Sequence, residues 1–297
     1  DFCLSRGLGD VYKRQIYGMT EAERKQIIAL VQREVVPAIG CTEPIAVALC
    51  VAKATETLGA KPEKIDVLLS ANILKNAMGV GIPGTGMIGL PIAIALGALI
   101  GKSEYQLEVL KDSNPAAVDE GKRFIAEKRI NISLKENISE KLYIEVCCES
   151  GENKATAIIA GGHTTFIYIA RNGGILFSRQ NASSEETKEQ TVDLTLRKVY
   201  DFAMDAPLDE IRFILETARL NKAAAESSFD KNYGHGLGRM LRGTYEHKIL
   251  GDSVFSHILS YTSGACDARM AGAMIPVMSN SGSGNQGISA TLPVLVY

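Results

Sequence analysis

LYIEVCCESGENKATAIIA, residues 142–160, holds two short β-like runs, Leu142–Glu149 and Ala155–Ala160, parted by the turn signal Ser150-Gly151-Glu152-Asn153. Glycine and asparagine between two such runs mark a hairpin. A second signal, Arg171-Asn172-Gly173-Gly174, separates Thr164–Ala170 from Ile175–Ser178. Working outward, Asn131–Lys135 and Ile65–Leu69 also read as strands. Met87–Ile100 reads as a buried helix, with further helices around Glu104–Lys111 and Pro115–Glu127. Residues 61–180 therefore predict an antiparallel α+β unit.

Helical patterns flank this unit. Thr20-Glu21-Ala22-Glu23 forms a capping box, followed by Ile27, Ile28, Val31 and Val35 at helical spacing, and Pro37 closes the segment. Thr42 or Cys41 caps a second helix with Pro44 in its first turn, running through Ile45–Leu58 to the stop at Gly59. Beyond the unit, Asn181–Gln190 is a polar, acidic linker. Val192–Met204 and Leu208–Leu220 are helical, Pro207 opening the second, and Gly234–Gly287 is glycine-rich with short helical patches. No repeat of solenoid period is present. The fold class is α+β: a helical region, residues 16–60 and 181–297, interrupted by an inserted α+β unit. Residues 1–15 have no helical or strand period and are read as an artefactual leader. The apolar run Leu292–Tyr297 has no polar terminus, so the helical region is expected to be truncated at that end.

Composition removes several function classes. The 297 residues suffice for a substantial core, and a net charge of −2 without a basic, aromatic-laced cluster argues against nucleic acid. The uncharged stretch Asn76–Gly101 begins with glycine-rich loop chemistry. Its apolar part, Met87–Ile100, falls short of the roughly 20 residues that span hydrocarbon, so no membrane partner is expected. The six cysteines fit neither paired zinc motifs nor a disulfide framework. Adjacent Cys147 and Cys148 would point to opposite faces of a strand. Unpaired thiols imply a reducing compartment, hence the cytoplasm.

Several groups can carry chemistry. Gly40-Cys41-Thr42-Glu43-Pro44 places a thiol at a helix amino terminus, where free N–H groups and the helix dipole favour a thiolate. Cys41 can equally pack as a small apolar group. Cys50, mid-helix among Ala48, Leu49 and Val51, reads as core. Ser279 through Gly287, with Ser281, Ser283, Asn285 and Gln286, is either an anion-binding nest or a solvated turn. It lacks the lysine of a nucleotide loop. Asn72, Lys75 and Asn76, just before the glycine-rich loop that contains Thr85, can present an ammonium and two amides to an acidic group; Lys75 in solvent is the plainer reading. His163, in Gly161-Gly162-His163-Thr164, is a substrate ligand or acid–base group, or a turn histidine satisfied by backbone. Asp267-Ala268-Arg269 forms an internal salt bridge, or Arg269 clamps a carboxylate.

Taken together, Pro37–Pro44, Asn72-Ile73-Leu74-Lys75-Asn76, Val80–Pro91, Gly161–Thr164, Asp267–Met270 and Ser279–Gly287 resemble, in the same order, the motifs of the iron–sulfur L-cysteine desulfidase and L-serine dehydratase alpha-subunit family. The likeness covers Ile16 to Tyr297. It implies that the helical region is catalytic. It further implies α,β-elimination from L-cysteine, giving pyruvate, ammonia and hydrogen sulfide, or from L-serine, giving pyruvate and ammonia. By the same resemblance the cofactor is a [4Fe-4S] cluster whose ligands lie beyond residue 297, and no metal ligand is assigned within these residues. Cys41 matches the position proposed as the α-proton base. Thr42, Glu43, Asn72, Lys75, Asn76, Thr85, His163, Arg269, Ser281, Ser283, Asn285 and Gln286 are the expected substrate-binding positions. The expected partner is a small amino acid, and a homodimer is compatible. The competing reading is a non-catalytic amino-acid-binding or regulatory module built on the serine–glycine loop.

Overall fold

The computed structural model describes residues 19–179, 193–242 and 251–297. The expected leader and the expected 181–190 linker lie outside the described residues. In chain order the first half holds α1 (Glu21–Glu34), β1 (Pro37–Ile39), α2 (Thr42–Leu58), β2 (Lys64–Leu69), α3 (Ala71–Ala77), α4 (Leu90–Leu99) and α5 (Pro115–Ala126). Strands β3 (Ile130–Leu134), β4 (Tyr143–Ser150), β5 (Asn153–Ala160), β6 (Phe166–Arg171) and β7 (Gly174–Ser178) follow. The second half holds α6 (Leu196–Asp205), α7 (Leu208–Ile211), α8 (Leu215–Asp230), α9 (Leu237–Met240), α10 (Val254–Met270), β8 (Pro276–Met278) and α11 (Gly284–Val296). The chain separates into two compact units, residues 1–34 with 186–215 and residues 35–185 with 216–297.

In the smaller unit the capping box is realised. Thr20 N–H donates to Glu23 Oε2 at 3.0 Å, and Glu23 N–H donates to Thr20 Oγ1 at 3.2 Å. Arg24 then clamps Glu210 through Nε at 2.8 Å and Nη2 at 3.2 Å, joining α1 to α7.

The larger unit is built on a six-stranded sheet in the order β3-β2-β4-β5-β6-β7. The hairpins at 150–153 and 171–174 form where the turn residues placed them, with Tyr143 opposite Ala160 and Arg171 opposite Gly174. One pairing departs from the antiparallel expectation: β2 and β3 run parallel, Ile65 beside Ile130. Parallel neighbours need a crossover rather than a tight turn, and α3, α4 and α5 supply it. On β4 the period of two buries Ile144, Val146 and Cys148 and leaves Tyr143, Glu145 and Cys147 towards the other face. The buried face is covered by α2, whose Ile45–Ala52 are all sealed from solvent, and by α4. Cys50 sits in this core with Sγ donating to the Ala157 carbonyl at 3.3 Å, as its apolar neighbours predict.

Other departures have local causes. The buried helix starts at Leu90 rather than Met87, because Gly89 at φ 90° turns the chain into it. Glu104–Lys111 is a 3-10 turn over Ser103–Glu108, interrupted at Gln106 (φ 50°, ψ −123°). Helix α3 and strand β1 were not anticipated, and the glycine-rich tail contains a full 17-residue helix, α10. Cys41, Cys50, Cys147, Cys148 and Cys266 are free thiols. Among the described residues no helix is long and apolar enough to cross a membrane.

Candidate active site

Strands β1 and β8 bring two distant segments together. Pro37 pairs with Met278 and Ile39 with Pro276, antiparallel. Ser279 extends the contact, its N–H and Oγ both donating to the Val36 carbonyl at 2.9 and 2.7 Å. A buried amide from α8 locks this junction. Asn221 Oδ1 accepts from Met278 N–H at 2.8 Å, and its Nδ2 donates to the Gly287 carbonyl at 3.3 Å and to Thr291 Oγ1 at 3.2 Å. An asparagine on a helix face otherwise made of Leu220, Ala224, Ala225 and Ser228 was the available signal for it, and the motif reading passed over it.

The serine–glycine loop is a two-residue turn. Asn280 and Ser283 exchange backbone hydrogen bonds of 3.0 and 2.9 Å, with Ser281 at φ 49° and Gly282 at φ 75°. Positive φ at both central positions is the type I′ signature. Ser283 then caps α11, its Oγ accepting from Gln286 N–H at 3.3 Å. This turn carries Gly282 against His163: a Cβ there would lie 2.4 Å from the ring Nδ1. Gly284 meets Arg269 in the same way, a Cβ falling 2.2 Å from Nε. Arg269 is 4% exposed, and its Nη1 donates to Asn285 Oδ1 at 2.9 Å.

Cys41 is the N-cap residue of α2, yet its side chain does not cap the helix. Instead Sγ donates to Glu43 Oε2 at 3.0 Å, an oxygen that also accepts from Thr42 Oγ1 at 3.1 Å. Burial, then the charge of Glu43 and the hydrogen bond to it, push the thiol up to about 12, while Arg269 pulls the other way. The expected helix-end thiolate is therefore corrected: beside a carboxylate and out of water, the sulfur keeps its proton. For Glu43, burial works to raise the carboxyl. The hydrogen bond from Cys41, its own N–H, the charge of His163 and the Thr42 hydroxyl outweigh it and hold the group below its ordinary value. Burial lowers His163, against the pull of Glu43 and with the push of Arg269. Cys41, Glu43, His163 and Arg269 thus share one electrostatic neighbourhood.

The remaining candidates divide. Thr85 is engaged in its own loop, donating to the Ile82 carbonyl at 2.8 Å and accepting from Met87 N–H at 2.9 Å. Asn72, Lys75 and Asn76 are exposed along one face of α3, and no hydrogen bond or ion pair ties them to the Cys41 group. Ser281 and Gln286 are exposed. Asp267 makes no salt bridge to Arg269; its Oδ2 accepts from Leu237 N–H at 3.0 Å, fixing the start of α9. A cluster does not fit these side chains. Among the described residues no three His, Cys, Asp or Glu gather as a metal-holding group, and Cys50 and Cys148 are buried in the core.

Residues 104–297 match the family described as serine dehydratase alpha chain, and the chain belongs to that family. It is 82% identical over 279 residues to a UPF0597 protein of Bacteroides fragilis, covering 94% of this chain and 65% of the relative. A UPF0597 protein of Bacteroides thetaiotaomicron is 76% identical over 279 residues, with 94% of this chain and 65% of the relative covered. One from Porphyromonas gingivalis is 50% identical over 285 residues, with 94% and 66% covered. The chain thus spans about two-thirds of the length of these relatives. No solved structure matches it.

Proposed function

We propose that this chain carries the proton-handling part of a β-eliminating lyase acting on L-cysteine or L-serine. The observation that supports the reading most directly is the Cys41 thiol donating to the Glu43 carboxylate inside a cluster that also holds a neutral-leaning His163 and a buried Arg269. A free thiol of such high pKa is a poor base alone; the pair is a better one. As the substrate α C–H bond breaks, Sγ takes that proton and passes its own to Glu43 Oε2, so the sulfur never bears a full charge in a site that disfavours one. The electron pair left on Cα forms the double bond to Cβ and expels hydrogen sulfide or water, the leaving group taking up a proton. Hydrolysis of the resulting enamine, through its imine tautomer, yields pyruvate and ammonia. The family membership implies a [4Fe-4S] cluster. Its ligands are proposed to lie outside these residues, and the proton transfers need only side chains of this chain.

The complete protein, reconstituted anaerobically with iron and sulfide, is expected to form pyruvate from L-cysteine, L-serine or both. Cys41→Ala should lower kcat by about 10³-fold, the scale of a lost general base, while cluster absorbance persists. Absence of pyruvate with either amino acid, despite full cluster occupancy, rejects the lyase. Amino-acid binding without turnover would instead make the chain a binding module.

A further inference from the structure

A buried guanidinium normally sits on a carboxylate, because an unpaired ion out of water is costly. Arg269, 4% exposed, makes no salt bridge among the described residues. Its Nη1 is held by Asn285 Oδ1 at 2.9 Å and lies 3.5 Å from Met270 Sδ. Among the described residues Nε has no partner, and the hydrogen bonds of the guanidinium all come from Nη1. Two acids of this region are engaged elsewhere, Asp267 on Leu237 N–H and Glu43 on the Cys41 and Thr42 side chains.

The vacant donors are the informative ones. Nε–H and Nη2–H point the same way from one edge of the guanidinium, at the spacing of two carboxylate oxygens. Nη1, on the opposite edge, is the group that Asn285 pins. Gly284 lies flat against the same guanidinium, where a Cβ would be 2.2 Å from Nε and 2.7 Å from Cζ. A side chain at 284 would push the guanidinium aside, so glycine there fixes where this edge lies.

We infer that the Nε–Nη2 edge of Arg269 binds the α-carboxylate of the substrate, and that Asn285 is a positioning residue that sets the plane of the fork rather than a ligand. The identity of the bound amino acid rests on the lyase reading; the carboxylate fork does not. A carboxylate held there puts its Cα one bond away, in the neighbourhood that Arg269 shares with Cys41 and His163.

L-Alanine and L-alaninamide separate the two readings, since neither has a leaving group and only the first has a carboxylate. Calorimetric titration of the complete protein should show L-alanine binding at least about tenfold tighter than the amide, the value of one charge-assisted pair. Arg269→Lys keeps the charge and loses the fork. It should weaken L-alanine by about 30-fold and leave the amide unchanged. Asn285→Ala, at a half-buried position, should cost L-alanine about fivefold by freeing the guanidinium, again without touching the amide. Should the lysine variant not fold, the asparagine variant carries the test. Equal affinity of the wild type for both probes, or equal loss of both in the variants, overturns the assignment. Pyruvate formation with KM indifferent to Arg269 would leave the lyase standing without the fork. Carboxylate-selective binding without pyruvate would do the reverse.

Discussion

The larger unit contains two interiors that are held together differently. Around α2, α4 and the sheet, the core is a continuous aliphatic mass that includes Ile45, Leu49, Ile65, Leu69, Ile92 and Leu96. Around α8, α10 and α11 it is small: Ala224, Ala225, Ala265, Val277, Ile288 and Leu292. The second interior makes up for its size with close backbone approach and buried polar groups, among them Asn221, Ser260, Arg269 and Ser279. Each fully buried large aliphatic side chain of the first contributes roughly 1.5–3 kcal/mol through burial. In the second, burial leaves polar groups that count only when bonded. Cys41 stands at the end of α2 that leaves the aliphatic mass and meets the polar one. Chemistry collects where apolar packing stops.

This contrast can be broken at chosen points. Asn221→Leu removes the acceptor for Met278 N–H and both donors to α11 at a fully sealed position. Denaturant unfolding should show a loss of about 3 kcal/mol, since the stranded donor costs more than the added methyls return. Gly97→Ala strikes the aliphatic half: its Cβ would lie 2.6 Å from the Ala48 carbonyl oxygen, backbone that cannot step aside. A loss of about 2 kcal/mol is expected there, despite alanine's better helix propensity. Gly284→Ala meets Nε, Cζ and Cδ of a buried, Asn285-held Arg269 rather than backbone, so a loss of about 1 kcal/mol is expected while ligand affinity falls. A larger stability loss at Gly284 than at Gly97 would erase the distinction between the two interiors.

The smallest effect is in pH. His163 is held below its ordinary 6.5, and Glu43 below 4.5, by their surroundings. In each case the unfolded chain binds the proton more readily. Stability conferred by the site is therefore complete above the unfolded value and is lost as pH falls through the folded one. Urea midpoints should decline below about pH 6.5 and again below about 4.5. His163→Gln should flatten the first decline only.

The parts of the fold written in local sequence were legible. The Thr20–Glu23 box, the Gly59 stop and both hairpin turns depend on residues a few positions apart, and each formed as expected. The β1–β8 pairing joins segments at opposite ends of the chain, and no period within three residues announces such a strand. The parallel entry of β3 was hidden for the same reason. Helix α10 was obscured by Ser260, Thr262, Ser263, Gly264 and Ala265, small residues that read as loop although Ser260 and Gly264 pack closely against α9 and α8. At the site, spacing placed Cys41 at a helix start. Its protonation depends on where Glu43 turns and on how much water remains, and neither is set by spacing. The contacts of His163 with Gly282 and of Arg269 with Asn285 are likewise products of the folded chain.

The proton on Cys41 is the point at which the whole account can be measured. Alkylation of the Cys41 peptide, followed by mass spectrometry across pH, should show slow modification at pH 8 and a midpoint far above an ordinary thiol, pushed up towards about 12. In Glu43→Gln the carboxylate's charge is gone, so the midpoint should move down and modification at pH 9 should quicken. A Cys41 that alkylates readily at pH 8 in the wild type, or a midpoint that does not fall in Glu43→Gln, would contradict a thiol and carboxylate acting as one proton-holding pair.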